Sequence, residues 1–281
     1  MHLANIMNKI ICADSQEFMQ EMPEEIVQLT VTSPPYDNLR TYKGYSFDED
    51  EMIKGLYRVT KPGGVVVWIV ADATIKGSKS GSSWRQAEKF RKAGFKIHDV
   101  MIWHKNKLPV NAKRYEPSWE YMFIFLKGKI KIFNPIMVKK LYKDKRKNKT
   151  AHRTKNGSRP KTCSSRPDLD FKVKENLWYY PVGGGHMTKD KIAYKHPAIF
   201  PENIARDHII TWSNKFDLVF DPMNGAGTTT KMAKFLHRRY IGIDCSEEYC
   251  NIAKKRLEGA FKYKPDKHIY YRDNDGKIKY L

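Results

Sequence analysis

Apolar and polar residues follow two alternating periods along this chain. Residues 8–12, 27–32 and 65–70 are short apolar, β-branched runs of the kind that fill central parallel strands covered on both faces. Residues 96–103 and 119–126 read as two further strands, neighbours at one sheet edge. Helical spacing separates them. Ser15 can cap a helix reaching Met22, with Phe18, Met19 and Met22 on one face. Residues 49–59 place Met52, Ile53, Leu56 and Val59 on one face and stop at the turn Lys61-Pro62-Gly63-Gly64, and residues 84–93 end at Gly94. The alternation resumes with strands at 216–220 and 240–243 and helices at 228–236 and 247–257, and residues 268–281 predict a hairpin about Asn274-Asp275-Gly276. Strands alternating with helices predict an α/β chain.

Composition narrows the function classes. The 281 residues are 41% hydrophobic, enough for a packed core, and 52 Lys and Arg against 31 Asp and Glu leave +21, a field suited to a polyanion. There is no run of about eighteen apolar residues, and the start lacks the basic-then-apolar order of a secretory signal, so a soluble cytoplasmic protein with no membrane partner is expected. The positive charge is concentrated. Residues 139–161 hold eleven Lys or Arg and one acid, Asp144. Such runs are usually solvated loops, but this one can also track phosphates through Lys143, Lys145, Arg146, Lys147, Lys149 and Arg153. Tyr142, Trp178, Tyr179, Tyr180 and Gly183-Gly184-Gly185 are candidate base-reading elements nearby. Asp168 and Asp170-Phe171-Lys172 superficially suggest a nuclease metal site, but they lie too close together for one. Cys12, Cys163, Cys245 and Cys250 show no C-x-x-C spacing, so neither a zinc site nor a disulfide framework is expected, and no metal is assigned.

Two loops carry candidate chemistry. Asp221-Pro222-Met223-Asn224-Gly225-Ala226-Gly227-Thr228-Thr229 follows one apolar run and opens a helix, bringing backbone and a helix N-terminus close to a ligand. Asp244, ending the next strand, can accept hydrogen bonds from ribose hydroxyls. A G-x-G pair also suits NAD, but Thr230 stands where the third glycine of the dinucleotide pattern belongs. The second loop, Thr32-Ser33-Pro34-Pro35-Tyr36, follows another apolar run. Ser33 offers a hydroxyl acceptor, the rigid Pro34-Pro35 turn aims the Pro34 carbonyl, and Tyr36 offers a flat stacking face. Taken alone, a Ser-Pro-Pro-Tyr tetrad is as readily a proline turn or partner ligand, and His196 as readily a core histidine.

Together these segments resemble the DNA amino-methyltransferases. Residues 220–229 resemble that family's F-D-P-F-x-G-S-G-T-T loop, with Met223 for Phe and Ala226 for Ser. Ile241-Gly242-Ile243-Asp244, Tyr249, Ala253 and Arg256-Leu257 resemble its next segment, and His196-Pro197-Ala198-Ile199-Phe200-Pro201-Glu202 its H-P-A-x-F-P-E segment. The resemblance covers residues 10 to about 257 in the order catalytic loop, basic insert, cofactor segments, as in the β class. It implies a Rossmann-like, doubly wound, mostly parallel seven-stranded sheet with permuted motif order. It implies S-adenosylmethionine held by Asp14, Thr32, His196, Phe200, Glu202, Asp221, Pro222, Asn224, Gly225, Gly227, Thr228 and Asp244, although Ala13 replaces the usual Gly beside Asp14. It implies catalysis by Ser33, Pro34, Pro35 and Tyr36 on a base flipped out of double-stranded DNA. The expected domains are residues 1–128 and 191–262 as the two halves of one methyltransferase unit, 129–190 as a target-recognition insert, and 263–281 as a hairpin extension. No cysteine follows a proline, which disfavours methylation at cytosine C5. Ser-Pro-Pro-Tyr is typical of the family's cytosine N4 enzymes, with adenine N6 the runner-up; RNA methylation and a non-catalytic DNA-binding subunit are further alternatives. A separate restriction endonuclease and a homodimer are the protein partners the resemblance admits.

Overall fold

The computed structural model describes residues 2–35, 47–106, 113–141, 170–183, 185–265 and 268–281. In chain order the elements are β1 (Lys9–Cys12), α1 (Ser15–Glu21), β2 (Val27–Thr32), α2 (Glu49–Val59), β3 (Thr60–Val70), β4 (Thr74–Ile75), β5 (Ser78–Lys79), α3 (Ser82–Lys92), β6 (Lys96–His104), β7 (Trp119–Leu126), β8 (Ile136–Lys139), β9 (Phe171–Val173) and β10 (Leu177–Tyr179), followed by α4 (Glu202–Trp212), β11 (Leu218–Asp221), α5 (Thr228–Phe235), β12 (Arg239–Asp244), α6 (Glu247–Glu258), β13 (Tyr270–Arg272) and β14 (Ile278–Tyr280).

The main sheet has the order β1-β12-β11-β2-β3-β7-β6-β10. Within it β7 runs antiparallel to both its neighbours, and the other pairings are parallel. The doubly wound architecture is as expected, but among the described residues the sheet has eight strands rather than seven. The addition is β10, which pairs through Trp178↔Trp103 and Tyr179↔His104, so β6 and β7 are not the edge. This pairing also corrects two candidate base readers: Trp178 and Tyr180 are buried in the core, and Tyr179 alone of that trio is exposed.

Alternation explains the two hydrophobic layers. Val65, Val67 and Ile69 of β3 face Ile204, Ile209 and Met232, whereas Val66, Trp68 and Val70 face the layer that holds Met52, Leu56 and Phe90. β2 is buried at every position, consistent with its continuous apolar run. The predicted turn at Lys61-Pro62-Gly63-Gly64 instead lies inside β3, where the register with β2 shifts between Val27 and Leu29. At α1 the cap is Asp14 rather than Ser15: its carboxylate accepts from the Gln16 and Glu17 N–H groups at 2.7 and 3.2 Å.

A second sheet has the order β14-β13-β8-β9. The strands on either side of the basic segment pair with each other, and β8 pairs with the predicted C-terminal hairpin, β13–β14. A bond from Lys140 N–H to the Asp170 carbonyl, 2.9 Å, closes the root of that segment. A buried polar knot anchors β10 to α4: Tyr180 donates its hydroxyl to Asp207, Lys174 donates to Tyr180 Oη at 2.8 Å, and Arg206 donates to Asp207 at 2.7 Å. Burial opposes the ionised Asp207 carboxylate, but Arg206 and Lys174 outweigh it and hold Asp207 below the usual carboxylate range. Among the described residues no helix is long and apolar enough to cross a membrane.

Candidate active site

The strand order decides which loops meet. β11 lies next to β2, so the loop at 221–228 and the start of the Ser-Pro-Pro-Tyr tetrad leave the same end of adjacent parallel strands. That end of an open α/β sheet is where ligands bind.

The 221–228 loop is built by close packing. Gly225 and Gly227 have φ of +48° and +78°, a region that disfavours residues with a Cβ. A Cβ on Gly225 would stand 2.8 Å from His196 Nε2, and one on Gly227 would stand 2.7 Å from the Ala253 Cβ. His196 is buried, accepts from Ala198 N–H at 3.1 Å through Nδ1, and meets the Tyr249 ring edge-on at 4.3 Å. Asn224 is buried; its Oδ1 accepts from Thr230 Oγ1 at 2.9 Å, and its Nδ2 finds no hydrogen-bond partner among the described residues.

Asp244 ends β12 and orients the loop from the other side. Its Oδ2 accepts from Gly225 N–H at 2.8 Å and its Oδ1 from Ser246 N–H at 2.9 Å. Burial raises the Asp244 carboxyl above its ordinary value despite those two donors. Asp14 sits at the end of the adjacent β1, where Ala13 N–H donates to the Asp244 carbonyl at 3.1 Å. The structure therefore brings both acidic candidates to neighbouring strand ends.

Thr32 and Asp221 meet directly: Thr32 Oγ1 donates to Asp221 Oδ1 at 2.7 Å. Burial pushes the Asp221 carboxyl up to about 7, against the pull of its donors Thr32, Met223 N–H and Thr229, and the nearby Asp244 carboxylate adds to the rise. Ser33 and Pro35 are half-buried and Pro34 is buried. Tyr36, and the phosphate candidates Lys143, Lys145, Arg146, Lys147, Lys149 and Arg153, lie outside the described residues, as do Tyr142 and Gly184.

Glu202 lies beneath the loop rather than at its surface. Its Oε1 accepts from Arg256 at 2.6 Å, Lys231 at 2.7 Å and Thr188 at 2.8 Å. Asp190 shares Lys231 and Arg256, at 2.7 and 3.1 Å; burial opposes its charge, yet the two cations hold its carboxyl below the ordinary range. Arg256 also donates to the Ala226 carbonyl at 2.6 Å and to Thr228 Oγ1 at 3.3 Å, clamping the loop from below. Pro222 and Thr228 are buried within the loop, and Phe200 packs partly buried against the core. Thr188, Asp190 and Lys231 carry no sequence signal that singles them out. A buried lysine is invisible by type in a chain with 52 Lys and Arg.

The family model described as DNA methylase, of the N6/N4 methyltransferase type, matches residues 27–255. The chain is 50% identical over 235 residues to the orphan methyltransferase M.BamHII of Bacillus amyloliquefaciens, an alignment covering 83% of this chain and 89% of that protein. Among solved structures, the cytosine-N4-specific PvuII DNA methyltransferase superposes with a TM-score of 0.64 at 20% identity, covering 90% of this chain and 89% of that one. The M1.HpyAVI–SAM complex superposes with a TM-score of 0.57 at 24% identity, covering 89% and 99%. At these identities the two structures establish the shared fold, while the matched family model and the half-identical relative establish descent: the chain belongs to the N6/N4 family of DNA methyltransferases.

Proposed function

We propose that the chain transfers a methyl group from S-adenosylmethionine to the exocyclic N4 of a cytosine flipped out of double-stranded DNA. The observation that carries this reading is the position of Ser33-Pro34-Pro35 at the end of β2, beside the 221–228 loop at the end of β11. The residues present suit the cofactor. Gly225 and Gly227 let the loop turn at positive φ close against His196 and Ala253, Asn224 Nδ2 is a buried donor with no partner among the described residues, and Asp14 and Asp244 present acidic groups at adjacent strand ends. The description of M1.HpyAVI as a SAM complex supports the same assignment. In this reading His196 and Phe200 wall the site and Glu202 holds the loop from below. When bound, S-adenosylmethionine supplies an electrophilic sulfonium methyl group.

The chain's own groups prepare the acceptor. An exocyclic amino nitrogen is a poor nucleophile because its lone pair is delocalised into the ring. The Ser33 hydroxyl and the Pro34 carbonyl accept its hydrogens and hold them out of the ring plane, while Tyr36 stacks on the extruded base. Alignment then contributes much of the rate. The basic segment at 139–161 contacts phosphates in this reading, within a target-recognition insert rooted at β8 and β9; the end of the expected 129–190 insert, with β10 and Asp190, joins the main sheet and the support of the 221–228 loop instead. The name of M.BamHII, an orphan methyltransferase, supports a setting without a cognate endonuclease.

Ser33 favours cytosine N4, and PvuII methyltransferase, described as cytosine-N4-specific, supports that choice. The matched family model spans both N6 and N4 enzymes, which keeps adenine N6 as the second reading. The test is incubation with methyl-labelled S-adenosylmethionine and unmethylated DNA, followed by digestion and chromatography of nucleosides. Label in N4-methylcytosine is the expected result. Label in N6-methyladenine reverses the base assignment, and label entering RNA instead of DNA defeats the proposal.

A further inference from the structure

The backbone ladder between β11 and β2 stops short of the loops that those strands carry. It pairs Val219 with Leu29 and Phe220 with Thr30. Pro222 has no N–H to extend it. Two side-chain bonds reach β2 there: Thr32 Oγ1 donates to Asp221 Oδ1 of β11 at 2.7 Å, and Thr229 Oγ1 of α5 donates to the Val31 carbonyl at 2.9 Å. Met223 N–H also donates to Asp221 Oδ1, at 3.1 Å, so a single carboxylate oxygen ties the 221–228 loop to the strand that ends at Thr32, next to Ser33.

Burial argues against a direct ligand contact for this pair. Thr32 and Thr229 are 0% exposed and Asp221 is 2% exposed. Thr32 immediately precedes Ser33, Asp221 immediately precedes Pro222, and Thr229 lies in the first turn of α5. We propose that Thr32 and Asp221, with Thr229, form a positioning link that sets the Ser33 loop against the cofactor loop and do not touch the cofactor. The proposal rests on the methyl-transfer reading above and replaces the expectation that Thr32 and Asp221 are cofactor contacts. Anchoring the Thr32 hydroxyl fixes its side-chain rotamer and the direction in which the chain enters Ser33. A misplacement of about 1 Å at a reacting group costs on the order of 100-fold in rate.

The test compares the wild type with Thr32→Val, Thr32→Ser and Thr229→Val in two measurements, calorimetric titration with S-adenosylmethionine and rapid-quench methyl transfer to unmethylated DNA at saturating cofactor. Thermal unfolding accompanies both. Thr32→Val is expected to slow transfer about tenfold or more while cofactor affinity stays within about threefold, because alignment rather than binding is lost. Thr32→Ser, which keeps the hydroxyl, is expected to stay near the wild-type rate, and Thr229→Val to reproduce the Thr32→Val split. Loss of cofactor affinity with an intact saturated rate overturns the proposal. So does a Thr32→Val enzyme that matches the wild type, or a Thr32→Ser enzyme as slow as Thr32→Val. If Thr32→Val does not fold, an unchanged transfer rate in Thr229→Val is the overturning result. A wild type that binds cofactor but methylates nothing defeats the methyl-transfer reading and this proposal together, whereas active variants with no split defeat this proposal alone.

Discussion

At Gly225 one missing carbon lets the 221–228 loop pack against His196. Its φ is +48°, and a Cβ there would press on His196. Gly225→Val therefore adds backbone strain of about 1–3 kcal/mol to a steric clash. It is expected to weaken cofactor binding at least about tenfold, as ΔG of about 1.4 kcal/mol implies, which titration calorimetry would measure. Unchanged affinity would remove the loop from the cofactor site. Asp221 gives a second prediction, with a sign. Its carboxyl is raised from 3.8 to about 7, so the folded chain holds a proton that the unfolded chain has released. Stability from this group is thus present at low pH and is lost as pH rises between those two values, by roughly 1.4 kcal/mol per pH unit. Relative to the wild type, Asp221→Asn should gain stability between pH 5 and pH 8 in denaturant unfolding. A difference that stays constant across that range would contradict the perturbed carboxyl.

Elements with a clear period were legible and those built on buried charge were not. The apolar faces predicted a helix at 49–59 and a strand at 119–126, and α2 and β7 occupy those spans. Helix α4 went unread: Arg206, Asp207 and His208 interrupt its apolar pattern, yet all three are buried and satisfied within the fold. The three-residue strands β9 and β10 were too short for any period, and Trp178 and Tyr180 looked like surface aromatics until β10 was seen to join the main sheet. At the candidate site, the loop sequences single out Gly225, Asn224 and Asp244, which the fold brings together, whereas the support under them is ionic and long-range. Glu202 at the start of α4 is its centre, so Glu202→Gln leaves Lys231 and Arg256 short of a buried counter-charge. A loss of about 3–5 kcal/mol is expected in urea unfolding. A loss below about 1 kcal/mol, the range of exposed pairs, would mean the network contributes little.

At the scale of the whole molecule, topology joins what the sequence separates. Residues 32 and 221 stand at opposite ends of the chain order, and the adjacency of β2 and β11 makes them hydrogen-bond partners. The charge of +21 supplies the field for a polyanion, and its densest part is the segment at 139–161. Neutralising Lys145, Arg146, Lys147 and Lys149 together should lower the slope of log affinity for duplex DNA against log salt, by up to about 0.9 for each phosphate contact removed. An unchanged slope would show that the phosphate contacts lie elsewhere. In the proposed function two loops at one switch point divide the labour, which is tested by pairing S-adenosylmethionine affinity with single-turnover methyl transfer in Tyr36→Ala and Asp244→Ala. Tyr36→Ala is expected to slow transfer while leaving cofactor affinity nearly intact, and Asp244→Ala to weaken cofactor binding most; the opposite assignment of the two effects would contradict that division.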